Sequence, residues 1–295
     1  MLISAALWGF IGVFTRELSD AGFSAMETAF LRMLIGAVIL VAFYAVADRA
    51  AFKIKKRDLI LFLLFGFFKI MSDFFLFMAQ VRIQLSLSTV LQLTSPYWVL
   101  FFSMFLFGEK ITARKVFAIC MAFFGCIFAS GLVSDDIRYD FIGTVFALLS
   151  GIMFAGYFVG NKILMNKGYS TGTIILYIFI CSSIVSFPFS DPLSLPGLIT
   201  SWDVVLNLLG IGILMSLVPY CLQVYSLKYL SPVQSNLIGI TEVFFAVLVG
   251  YVLYCEKLGI ISLIGMILIP LSIAVMNINP RQMLVAHRKK KSAEQ

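Results

Sequence analysis

Polar residues in this chain gather into short clusters, and the stretches between them are long and apolar. A hydrocarbon layer ~30 Å thick needs ~20 apolar residues in a helix to cross it, at a rise of ~1.5 Å per residue. The pattern therefore predicts spanning helices rather than soluble ones. Reading from charge cluster to charge cluster places ten, at 2–15, 27–47, 59–80, 87–107, 116–133, 141–161, 171–189, 204–226, 232–254 and 260–278. The connection around Arg82 to Leu85 is very short. The first run starts at Met1 without a basic segment and closes on Phe14-Thr15-Arg16-Glu17, which favours an uncleaved first helix over a signal peptide.

Composition excludes the soluble alternative. The 295 residues are 61% hydrophobic and only 13% charged, too little charge to cover a soluble surface. The net charge of +7 does not point to nucleic acid, because Lys and Arg flank apolar runs and form no basic face. Their distribution instead sets orientation. With both termini in the cytoplasm, sixteen of the 22 Lys and Arg fall on the cytoplasmic side and four (Arg16, Arg82, Arg138, Lys257) on the other, which is the bias of a correctly oriented multi-pass protein of the cell membrane. The basic tail, Arg288-Lys289-Lys290-Lys291, reads as an orientation and anionic-lipid signal. The five cysteines lie in or beside apolar runs without a CxxC spacing, and the lone His287 sits in the tail. Neither metal nor cofactor is expected.

Sliding the chain against itself by 147 residues aligns its halves. Thr94, Glu109 and Lys110 fall on Thr241, Glu256 and Lys257; Ser88 falls on Ser235, Leu106 on Leu253 and Gly9 on Gly156. Five helices per repeat is an odd number, so the halves enter the membrane in opposite directions. The expected architecture is two inverted five-helix repeats, 1–134 and 141–278, followed by a tail at 279–295. Inverted repeats recur in secondary transporters, with the solute site near the midplane between them.

These features resemble the EamA-type drug/metabolite transporters. The resemblance rests on the five-plus-five helices and the early Leu7-Trp8-Gly9. It rests also on apolar helices carrying Ser95-Pro96 or Thr241-Glu242 and ending in Gly108-Glu109-Lys110 or Cys255-Glu256-Lys257. It implies a carrier of amino acids or related metabolites, exporting by alternating access. Where family members often show Glu-Pro in the ninth helix, this chain has Glu242-Val243, so no proline breaks that helix.

Ionisable residues inside a membrane usually face a cavity or a partner. Lys69 and Asp73, four apart on the third helix, share one face, either as a packing pair or as part of a cavity wall. Arg32, a turn into its helix, is expected to snorkel to the outer interface. Glu242 has no charged partner in its own helix, and suits a substrate amine, a coupling proton or a neighbouring helix. Gln84, Ser88, Gln92 and Ser95 form a polar stripe, and Tyr157 and Asn161 another; for Gln84 and Asn161 an inter-helix hydrogen bond is the expected role. Gly156 and Gly160 read as close-packing positions. Pro96 and Pro219 each free a backbone carbonyl, and Tyr220 follows Pro219. The candidate binding or coupling residues are thus Lys69, Asp73, Gln92, Ser95, Tyr157, Tyr220 and Glu242.

The leading reading is a secondary transporter of a small polar or amphipathic solute, without enzymatic activity. Its partners are the solute, the lipid bilayer and a coupling proton, and an oligomer is allowed. No P-loop provides ATP drive. The alternative, an intramembrane lipid-modifying enzyme, lacks a DDxxD or HExxH arrangement of acids and histidines.

Overall fold

The computed structural model describes residues 1–83, 85–130, 140–192, 195–254 and 259–277. Gln84, Asp135-Asp136, Arg138, Cys255-Glu256-Lys257 and the tail with His287 lie outside them. Among the described residues all regular structure is helical: α1 (Leu2–Gly9), α2 (Ile11–Asp20), α3 (Ala25–Ala47), α4 (Leu59–Gln80), α5 (Leu85–Gln92), α6 (Ser95–Phe107), α7 (Ala113–Ala129), α8 (Phe141–Asn166), α9 (Thr171–Ser186), α10 (Leu195–Leu198), α11 (Trp202–Leu209), α12 (Val218–Ser226), α13 (Pro232–Gly239), α14 (Thr241–Tyr254) and α15 (Ile260–Asn277). A π-helical turn, Gly210–Leu217, joins α11 to α12.

Short polar residues set where the helices start. Ser24 caps α3 by accepting from the Glu27 amide, while the Glu27 carboxylate accepts from the Ser24 amide. Ser231 and Gln234 repeat this capping box on α13. Gly108 closes α6 in a left-handed conformation, φ 65°, which a residue without Cβ adopts without strain.

Eight stretches of described helix are long and apolar enough to cross a bilayer: Leu2–Asp20, Ala25–Ala47, Lys56–Gln80, Leu87–Phe107, Phe141–Asn166, Thr171–Phe189, Trp202–Ser226 and Pro232–Leu253. The protein is therefore a multi-pass membrane protein, and its outward surface carries large apolar side chains such as Val46, Phe105 and Phe141. The two remaining expected spans are shorter helices, α7 with 17 residues and the apolar Ile260–Met276 of α15. They pack along each other, and a Cβ on Gly265 would lie only 2.3 Å from the Ala129 amide nitrogen. Small residues here allow the close approach of backbones on which helix association in lipid depends.

Four of the crossings are irregular at depth. α1 and α2 meet at Phe10, α5 and α6 at Leu93-Thr94, and α13 and α14 at Ile240. The eighth expected span passes through the π turn ahead of Pro219, whose missing N–H and bulky ring disfavour a regular ladder. Helix α4 packs on α8 and α9, α3 on α9, and α1 on α12 and α14. Gly156 and Gly160 of α8 seat Phe68 and Phe65 of α4, the close-packing arrangement their spacing suggests.

Candidate functional site

A cavity of about 540 Å³ opens between α1, α2, α3, α4, α5, α8, α12 and α14. Trp8, Leu76, Phe77 and Phe154 provide apolar wall, while Arg32, Asp73, Gln92, Tyr220 and Glu242 bring polar groups to it. A mostly apolar hollow with a few convergent polar groups is the usual form of a small-molecule site.

Its best-defined element is a charge cluster. Asp73 Oδ2 accepts from Arg32 Nη2 of α3 and from Lys69 Nζ of its own helix, each at 2.6 Å. All three residues are buried. The expected snorkelling of Arg32 does not occur: its guanidinium turns inward to Asp73, because an ion pair at depth outweighs a short reach to the interface. Lys69 also lies over the Tyr220 ring, 5.2 Å from its centroid, and Trp8 packs against that ring at 5.3 Å. Two cations and one acid leave the cluster with an excess positive charge. The Arg32 Nε has no protein partner.

Glu242 lies at the same cavity with only part of its surface buried. It belongs to the first turn of α14, just after the break at Ile240, where the positive end of the helix dipole favours a negative side chain. Among the described residues it makes no ion pair. Gly9 lets α1 close on this turn: a Cβ there would meet Phe245 Cβ at 2.5 Å and the Glu242 carbonyl oxygen at 3.0 Å.

Gln92 ends α5 at the helix break, and its Nε2 donates to Ser150 Oγ at 2.8 Å. Ser72 and Ser150 donate reciprocally to each other's carbonyls, at 3.1 and 2.8 Å, which ties α4 to α8 beside the cavity. Of the candidates, Asp73, Gln92, Tyr220 and Glu242 meet at the cavity, and Lys69 reaches it through Asp73 and Tyr220. Ser95 and Tyr157 do not. Ser95 Oγ donates to Asn236 Oδ1 at 3.1 Å, and Tyr157 Oη to Gln223 Oε1 at 3.0 Å, both fully buried between helices. Asn161 departs from expectation too, since neither of its amide atoms finds an inter-helix partner.

Sequence reasoning missed Ser150 and the inward role of Arg32. For Arg32 a signal existed: Lys69 and Asp73 cancel each other, and a third charge at depth needs its own explanation. Among the described residues no three His, Cys, Asp or Glu side chains converge in a way that could hold a metal, and Cys120, Cys126, Cys181 and Cys221 are free thiols.

A model of the EamA-like transporter family matches residues 1–131 and 141–278. An uncharacterized transporter of Archaeoglobus fulgidus is 26% identical over 266 residues, covering 90% of each chain. A second from the same organism is 24% identical and covers 93% of this chain and 96% of its own. An uncharacterized transporter of Bacillus subtilis, YxxF, is 26% identical over 158 residues, about half of either chain. A solved crystal structure superposes with a TM-score of 0.77 over 95% of this chain at 16% identity, a likeness of fold.

Proposed function

The chain belongs to the EamA-like transporter family, and from that premise we propose that it is a secondary transporter exporting a small amino acid or related amphipathic metabolite across the cell membrane by alternating access. The observation that carries this reading is the cavity itself. It holds a cationic cluster with a guanidinium nitrogen and an acid that, among the described residues, have no hydrogen-bond partner and no ion pair respectively, and aromatic walls from Trp8, Phe77 and Phe154. In this reading the solute carboxylate meets Arg32, its amine meets Glu242, and its apolar part lies on the aromatic rings. Glu242 is also the group that carries a coupling proton.

The proposal takes ten spans as two inverted repeats, 1–134 and 141–278, with both termini and the 279–295 tail in the cytoplasm. Support comes from the helix breaks: Leu93-Thr94, advanced by the 147-residue offset, becomes Ile240-Thr241, where α13 gives way to α14. Packing follows the same two-fold logic. The first and ninth spans meet through α1 and α14, as the sixth and fourth do through α8, α5 and α6.

Two measurements test it. In a thermal-shift panel of metabolites, a solute bearing both amine and carboxylate is expected to raise the melting temperature, since a ligand at 100 times its Kd stabilises by about 2.7 kcal/mol. The same solute should show counterflow in proteoliposomes; no flux for any stabilising solute contradicts transport. Impermeant thiol labelling of Lys110→Cys and Lys257→Cys should occur on opposite faces, and labelling on one face contradicts the inverted repeat.

A further inference from the structure

Helices α8 and α12 line not one hollow but two. They reach the cavity described above through Phe154 and Tyr220. Further along, Lys162 and Asn166 of α8, with Lys228 just past the end of α12, line a second hollow of about 410 Å³ that also receives Glu109. The helix between Phe154 and Lys162 is ~12 Å long, so one thin layer separates the two spaces.

That layer is polar. Tyr157 donates to Gln223 at 3.0 Å, the Ser226 and Ser235 hydroxyls lie 2.8 Å apart, and Lys162 Nζ donates to the Leu227 carbonyl at 2.6 Å. Yet, among the described residues, the Nε2 of Gln223 has no partner, and the Asn161 amide finds none beyond a weak contact with the Tyr157 hydroxyl of its own helix, although both residues are 0% exposed. Asn161 lies one turn beyond Tyr157 on α8, and Gln223 lies one turn beyond Tyr220 on α12, so along each stretch of chain the amide falls between residues that line the first hollow and residues that line the second. Buried amides are almost always hydrogen-bonded, because leaving them unpaired forfeits their hydration without return.

We propose that Asn161 and Gln223 form a transit site for polar, hydrogen-bonding solutes, joining the Arg32–Glu242 cavity to the Lys162 hollow when α8 and α12 part. The Tyr157–Gln223 and Lys162–Leu227 hydrogen bonds are the latch that holds the layer shut in this conformation. The inference rests on the transporter reading only in taking a solute as the passenger.

Cysteine accessibility tests it without knowing the solute. In a full-length background with Cys120, Cys126, Cys181, Cys221 and Cys255 replaced by Ala, reconstituted in phosphatidylethanolamine/phosphatidylglycerol vesicles, Asn161→Cys and Gln223→Cys are exposed to an impermeant methanethiosulfonate from either face. Asn166→Cys, on the Lys162 face, and Gly12→Cys mark the two faces; Ser182→Cys, fully buried on α9 and bonded to the Gly66 carbonyl, is the closed control. Both test cysteines should react from each face at ~1–10% of the marker rate, the share expected of a minor conformation, while Ser182→Cys stays silent. Adding Tyr157→Phe to the Asn161→Cys protein, where the Tyr157–Gln223 bond is otherwise kept, should speed reaction from the Lys162 face about fivefold, the value of one hydrogen bond. No reaction from that face, with the marker labelled, overturns the transit site. A second readout does not depend on the cysteine background. Asn161→Leu should raise the melting temperature yet slow counterflow of a labelled amino-acid mixture at least tenfold. Unchanged flux makes the layer mere packing, or a set of fixed waters. Flux persisting through an unlabelled layer moves the path elsewhere and leaves the transporter reading standing; a layer that opens while no solute moves sinks the transporter reading alone.

Discussion

Asp73 and Glu242 border the same cavity, but Asp73 is held at 2.6 Å by both Arg32 and Lys69, whereas Glu242 makes no ion pair among the described residues. Two acids in one hollow thus have different surroundings. The charge of Asp73 is neutralised by the protein, and its two cations join α3 to α4. The charge of Glu242 is supported by the start of α14 and otherwise left to what enters the cavity. An ion pair satisfied from within is poor at exchanging partners, while an acid left open is ready to take one. The same contrast recurs between the paired charges and the Gln223 amide, whose Nε2 has no partner among the described residues.

Asp73→Ala attacks the paired side of the comparison and should have the largest effect on stability. It strands two buried cations, and breaking a buried pair in this way costs about 3–5 kcal/mol, read as a lowered melting temperature in detergent. Gly9→Val attacks the open side. Its Cβ would collide with Phe245 and push on the Glu242 backbone, costing about 1–3 kcal/mol by overpacking and lowering flux while Arg32, Lys69 and Asp73 stay in place. Gln92→Leu removes the bonds its Nε2 donates to Ser150 Oγ at 2.8 Å and, more weakly, to Ser72 Oγ at 3.4 Å, about 1 kcal/mol in all, because Ser72 and Ser150 keep their reciprocal pair. Smallest in stability is Glu242→Gln, expected within about 0.5 kcal/mol of the parent, since no protein charge is left without its counterpart.

Eight of the ten expected spans and the Lys69–Asp73 pair were legible because each depends on residues close together in sequence. Spacing of four puts Lys69 and Asp73 on one face wherever the helix goes. Arg32 was not legible in that way, since its partner lies 41 residues away and depth within a helix does not tell which direction a long side chain takes. The break before α14 shows what a repeat can add. Glu242-Val243 has no proline to signal it, yet Ser95-Pro96 at the matching position does. The π turn at Gly210–Leu217 had only Pro219 as an indirect sign, because a one-residue insertion in a helical ladder leaves the apolar pattern intact.

Counterflow of the stabilising solute in proteoliposomes, comparing the parent protein with Glu242→Gln at equal folded fraction, tests most directly whether the open acid is the working group. The account predicts an unchanged melting temperature with flux reduced at least ~100-fold, as expected when a buried charge contact worth ~2.7 kcal/mol is lost. Normal flux in Glu242→Gln would contradict it.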